Sequence, residues 1–113
     1  MMNKKVAIPV ENGNMSTHFG HAKLFALIEV ENGQFISEQK LTPPPHEPGV
    51  LPRWLKEVGA TDIITGGMGQ HAIQIFLQED INVFVGVSPK APLDLVNDLI
   101  NNTLNAGGNH CSH

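Results

Sequence analysis

Gly66-Gly67-Met68-Gly69-Gln70-His71-Ala72 follows directly on the apolar pair Ile63-Ile64. An apolar strand that runs into a glycine turn and then an amphipathic helix aims backbone N–H groups and a positive helix end at one place. That is a ready-made anion site. Met68 and His71 lie inside the same stretch.

Two other segments carry chemistry. Met15 to His21, containing Ser16-Thr17-His18-Phe19-Gly20-His21, reads as an irregular polar loop after the first strand. Histidine ligates metals and hydrogen-bonds anions, so His18 has either role open. His21 reads as a solvated loop residue, and Phe19 and Phe25 read first as core. The tail holds His110-Cys111-Ser112-His113. A thiolate with imidazoles is a soft donor set for zinc, copper or an iron–sulfur species. Three donors in four residues seldom close a tetrahedron alone, so a frayed terminus is the plainer reading.

Other chemistries fit poorly. Gly67-x-Gly69-x-x-Ala72 formally matches a dinucleotide fingerprint. The next strand, however, ends Val85-Gly86-Val87-Ser88 without the acid that would bind a ribose. No Gly-x-x-x-x-Gly-Lys-Ser/Thr loop and no Gly-x-Ser-x-Gly elbow occurs. Cys111 sits where a tuned nucleophile is hard to hold. A two-metal nuclease wants acids on central strands, and Val6-Ala7-Ile8-Pro9-Val10 has none.

The elements that must position these residues follow from the pattern. Residues 5–10 read as a central strand with Pro9 at its end, because proline donates nothing to a ladder. Glu11-Asn12-Gly13-Asn14 is a turn. Residues 25–30 and 35–41 form a hairpin about Asn32-Gly33. Thr42 to Gly49 is a stiff proline-rich linker carrying His46, directed at the same sheet edge as the loops above. Leu51, Trp54, Leu55 and Val58 have helical spacing, closed by Gly59. Residues 61–65 form a strand, and the helix after it buries Ala72, Ile73, Ile75, Phe76 and Leu77. Residues 81–87 form a strand apolar enough to be covered on both faces. A third helix has the stripe Leu93, Leu95-Val96, Leu99-Ile100 and Leu104, ended by Gly107-Gly108. The order β-β-β-α-β-α-β-α predicts a five-stranded mixed sheet with three helices, the strands at 5–10, 61–65 and 81–87 running parallel. Ligands of such a sheet bind at the carboxyl ends of its strands.

The chain has 113 residues, room for one domain and one core. It is 41% apolar and 16% charged, a globular balance. A net charge of −4 with no Lys/Arg run argues against a nucleic-acid surface. No stretch reaches the roughly 20 apolar residues of a membrane span, and the start does not read as a signal peptide. One cysteine excludes an internal disulfide and fits a reducing cytoplasm.

Taken together, Val6-Ala7-Ile8-Pro9-Val10, Ser16-x-His18-Phe19-Gly20-x-Ala22-x-x-Phe25, the proline stretch ending His46, Leu51-Pro52-x-Trp54-Leu55 and Gly66-Gly67-Met68-Gly69-x-x-Ala72 resemble one family. It is the dinitrogenase iron–molybdenum cofactor biosynthesis family, of the NifX-like and NifB-C-terminal-like kind. The resemblance covers nearly the whole chain. It implies a ribonuclease H-like three-layer α/β/α fold, expected over residues 1–108; Gly107-Gly108 uncouples 109–113, which read as a flexible tail. It also implies no nuclease or other enzymatic activity, and a nitrogen-fixation-related carrier role for an anionic metal–sulfur cluster. That cluster would be iron–sulfur or molybdenum–iron–sulfur, bound transiently and not tightly held in aerobic preparations, and passed to a cofactor-assembly or acceptor protein. The candidate site is Ser16, His18, Phe19, Gly20, His46, Gly66, Gly67, Met68, Gly69 and His71. Candidate metal ligands are His18, His46, His110, Cys111 and His113. The alternatives are a phosphate- or nucleotide-binding regulatory module and a mononuclear metal binder built on the tail.

Overall fold

The computed structural model describes residues 3–17, 19, 22–45, 50–104 and, as backbone, 108–110. The elements are β1 (Lys4–Glu11), β2 (Asn14–Met15), β3 (Leu24–Glu31), β4 (Gln34–Leu41), α1 (Val50–Glu57), β5 (Asp62–Ile64), α2 (Gln70–Gln78), β6 (Asn82–Val85), α3 (Pro92–Ile100) and β7 (Gly108–His110). The strands form one mixed sheet in the order β4-β3-β1-β5-β6-β7, with β2 paired to β1 off that path. β1, β5 and β6 are parallel, as expected. β3 is antiparallel to β1 and to β4.

Two Asn-Gly turns set the hairpins. Asn12 and Gly13 have φ of 54° and 85°, and Asn32 and Gly33 have 53° and 75°. Both central residues are left-handed, which is what a two-residue type I′ hairpin turn requires. The first turn folds β2 back on the end of β1, pairing Val10 with Met15. The second joins β3 to β4.

β1 lies mid-sheet, so its residues are buried on both faces and alternate between two cores. Ala7, Phe25, Leu27 and Ile63 pack with Leu51 and Leu55 of α1 and Ile73 and Phe76 of α2. Val6, Ile8, Ile28, Val30 and Ile64 pack with Leu95 and Val96 of α3. Two helices on one face and one on the other make the three layers.

At the amino edge of the sheet the carboxylate of Asp62 is fully buried. Lys4 Nζ donates to both of its oxygens at 3.1 and 3.2 Å, the Thr61 hydroxyl donates at 2.7 Å, and Asn82 Nδ2 donates at 3.2 Å. A buried charge is tolerated only with this kind of satisfaction.

Several expectations change. Pro9 lies inside β1, opposite Phe25, and not at its end. Its carbonyl accepts the Ser16 amide at 2.7 Å, away from β3. The ring nitrogen points the same way, and β1 pairs with β5 only at Val6 and Ala7, so no ladder bond to β3 is lost. α3 stops at Ile100 with Asn102 left-handed at φ 58°, and not at Gly107-Gly108. Leu93 is 40% exposed and off the buried stripe. Residues Gly108–His110 pair with β6 as an edge strand, so the first part of the expected tail belongs to the sheet.

Candidate functional site

The carboxyl ends of β1, β5 and β6 release three segments at one edge, and backbone hydrogen bonds fasten them to each other. The Met15 amide donates to the Lys90 carbonyl at 2.9 Å, Gly86 to Gly66 at 2.8 Å and Phe19 to Gly67 at 3.4 Å. β1 leads out to β3 on one side of the sheet and β5 lies on its other side, so this edge is the topological switch point where ligands of open α/β sheets bind.

The glycines of the turn have different reasons. A Cβ on Gly66 would lie 3.1 Å from Thr17 Cα and 3.2 Å from Thr17 O. One on Gly67 would lie 3.3 Å from the same carbonyl oxygen. These two are glycine because the loop after β1 lies directly against them. Gly69 differs: nothing stands within 4 Å of its Cβ position. Its φ of −66° and ψ of 150° suit any residue. Neither packing nor backbone conformation requires glycine there.

Gly69 is the N-cap of α2, so the helix begins at Gln70. Its carbonyl accepts the Ile73 amide at 3.1 Å. No side chain caps the helix, and no acid lies in its first turn. The amides of Gln70, His71 and Ala72 therefore have no intrahelical acceptor, and no acid of the helix's own first turn offsets the positive end. His71 is exposed in this first turn. Met68 packs its partly buried side chain on the core face shared by α1 and α2.

Ser16 and Phe19 hold the facing loop and do not line its open side. Ser16 is buried at the end of the β2 hairpin. Phe19 is buried in edge-to-face contact with Phe25 at 5.7 Å and Phe76 at 5.4 Å, and Phe25 contacts Trp54 in turn. This aromatic chain, read as core from the sequence, ties the loop to α2. His18 lies between Thr17 and Phe19, both of which touch the glycine turn. His18, Gly20, His46, Cys111 and His113 are outside the described residues, and His110 is described as backbone only. Among the described residues no three His, Cys, Asp or Glu side chains gather as a metal site.

Thr17 and Lys90 are contributors that the sequence did not mark. Thr17 adjoins His18 but has no motif of its own. The link from Met15 to Lys90 depends on tertiary placement of the segment before α3. There the Asp98 carboxyl accepts Lys90 Nζ at 3.1 Å and the Thr103 hydroxyl at 3.1 Å. The Lys90 hydrogen bond, then the Thr103 one, hold its pKa below the ordinary carboxylate value.

The fold and this edge define a small α/β/α domain in which a glycine turn leads into a helix with no side-chain cap. The chain belongs to the dinitrogenase iron-molybdenum cofactor family, whose pattern matches residues 2–102. β7 and the His-Cys-Ser-His tail lie outside the matched span. An uncharacterized protein of Methanocaldococcus jannaschii, MJ0580, is 32% identical over 85 residues, covering 71% of this chain and 72% of that one. The crystal structure of PH0822 superposes with a TM-score of 0.84 at 31% identity, covering 91% of this chain and 94% of that chain. The apo form of the orange protein from Desulfovibrio gigas shares the fold, with a TM-score of 0.78 at 18% identity over 95% and 96% of the two chains. The ribonuclease H-like α/β/α architecture is thus that of this family. No helix among the described residues is long and apolar enough to cross a membrane.

Proposed function

We propose that this chain is a non-enzymatic carrier for an anionic metal–sulfur cluster: the iron–molybdenum cofactor, a precursor of it, or a related cluster. The observation that carries the reading is Gly69. It is a glycine with open space around it, at the start of an uncapped helix with no acid in its first turn. Absence of a side chain there lets a bulky anion reach the amides of residues 70–72. Family membership supports the nature of the cargo.

The cluster is cargo, so it has to leave. Amide N–H groups hold sulfide and negative charge electrostatically, and a single imidazole adds one exchangeable bond. His18, His46 and the exposed His71 are the candidates for that bond. A full cysteine cage would defeat transfer to an acceptor protein, and the chain has one cysteine.

The tail reading is separate. β7 begins opposite Val85 and ends with His110 opposite Val83, so it runs from the carboxyl edge toward the amino edge. The backbone leaves the described residues heading away from the glycine turn. His110, Cys111 and His113 are proposed as a mononuclear metal site of their own, with Cys111 as a further cluster ligand the alternative.

The test is anaerobic purification with elemental analysis for Fe, Mo, Cu, Zn and S, followed by calorimetric titration of the parent and Gly69→Ala with a synthetic iron–sulfur or molybdenum–sulfur cluster. Uptake by the parent, reduced in the variant and unchanged on deleting residues 111–113, supports the carrier reading. Binding of inorganic phosphate with no uptake of any metal–sulfur species replaces it with the phosphate or nucleotide module.

A further inference from the structure

β4 ends the strand order, so among the described residues its outer backbone groups pair with no other strand. It is eight residues long, and open edges of that length are usually shortened or blocked. Phe35 and Ile36, 46% and 49% exposed, are two of the four large apolar residues left exposed in the described chain. Register with β3 shifts at this point, making Ile36 a bulge residue, and Ser37 to Leu41 then pair regularly. Glu38 and Lys40 stand two residues apart, hence on one face, with Lys40 Nζ 3.1 Å from the Glu38 carboxylate.

We propose that β4 pairs antiparallel with β4 of a second copy of this chain, about a two-fold axis at Gln39. In that register Glu38 stands opposite the second copy's Lys40, and Lys40 opposite its Glu38. The four charges alternate in sign around the axis. Moving the axis one residue either way would set Glu38 against Glu38 or Lys40 against Lys40, which is unfavourable for directly opposed like charges. The same register sets Ile36 opposite Thr42 and Phe35 opposite Pro43, so the exposed Phe35 meets the second copy's proline stretch. Pairing ends there because proline has no N–H to give. Such an interface is isologous and closes as a dimer. It lies at the far side of β3 from the glycine turn and leaves that turn open.

The test is sedimentation velocity of the full chain from micromolar to millimolar concentration. The parent should show a concentration-dependent monomer–dimer equilibrium. Glu38→Lys and Lys40→Glu should each weaken it by about tenfold, since each opposes like charges. The double variant should restore the parental dimer. An equal mixture of the two single variants should form a heterodimer as tight as the parent, because Lys then meets Glu at both pairs. Lys40 is exposed and Glu38 half-buried, and each single reversal also breaks their ion pair within the chain, so thermal melts of all four proteins confirm folding before the association constants are compared. A parent that stays monomeric at millimolar concentration overturns the proposal. So does a dimer indifferent to the single substitutions, or a double variant that fails to recover.

Discussion

The backbone of Thr17 lies against Gly66 so closely that a Cβ on the glycine would stand 3.1 Å from Thr17 Cα. The two loops that make the candidate site are thus held at backbone contact distance. Gly66→Ala should push the Thr17 loop outward, at a cost of about 1–3 kcal/mol for overpacking against backbone. Urea unfolding measures it, and a cost near zero would mean that the loop yields freely.

Gly69→Ala should behave in the opposite way. Its backbone angles suit alanine and its surroundings are empty. Folded stability should hold or rise by about 0.4–1 kcal/mol through reduced freedom of the unfolded chain. Anion or cluster affinity should nevertheless fall, by roughly tenfold or more, because a methyl group occupies the approach to the helix amides. Calorimetry beside thermal melts separates the two. Unchanged affinity would place the site elsewhere.

Phe19→Ala removes the ring that joins the loop to Phe25 and Phe76. The expected loss is about 3–5 kcal/mol, as for other buried aromatic truncations. Phe19→Leu should cost less and keep the loop attached. Hydrogen exchange at the Phe19 amide, which donates to Gly67, reports the attachment directly.

Asp62→Ala strips the amino-edge cluster of its acceptor and leaves Lys4, Thr61 and Asn82 without it. Lys4 is partly exposed and can rehydrate, so the cost should be on the order of 2–4 kcal/mol. Cluster or anion binding should not change, because the site is at the opposite edge. A binding loss that outlasts correction for the unfolded fraction would contradict this separation.

Asp98 gives a pH test. Its pKa is lowered in the folded chain by the Lys90 and Thr103 hydrogen bonds. A lowered folded value stabilises the protein above the ordinary carboxylate pKa, and that contribution disappears as pH falls through the lowered value. Asp98→Asn should therefore flatten the acid side of a plot of Tm against pH and leave the neutral side parallel. An identical acid slope in parent and variant would refute the assignment.

The helices, the hairpin at Asn32-Gly33, the turn at Asn12-Gly13 and the parallel strands were legible in the sequence, because each depends on local rules; the short strand β2, within residues read as turn and loop, was not. Left-handed Asn-Gly pairs, apolar runs and helix periodicity act over a few residues and need no distant partner. The same rules misplaced what is decided at a distance. Pro9 sits inside β1 because the neighbouring strand β5 pairs only at Val6 and Ala7. Gly108–His110 became a strand because β6 offered an open edge, which no local feature of Gly-Asn-His announces. The three turn glycines read alike in one dimension, yet Gly66 and Gly67 answer to Thr17 and Gly69 answers to nothing in the described protein. Sequence by itself determined that a glycine turn joins a strand to a helix at residues 66–72. Tertiary structure decided which glycine is kept for space, because that depends on what stands across a gap of a few ångströms, and residues 17 and 66 become neighbours only when β1 pairs with β5.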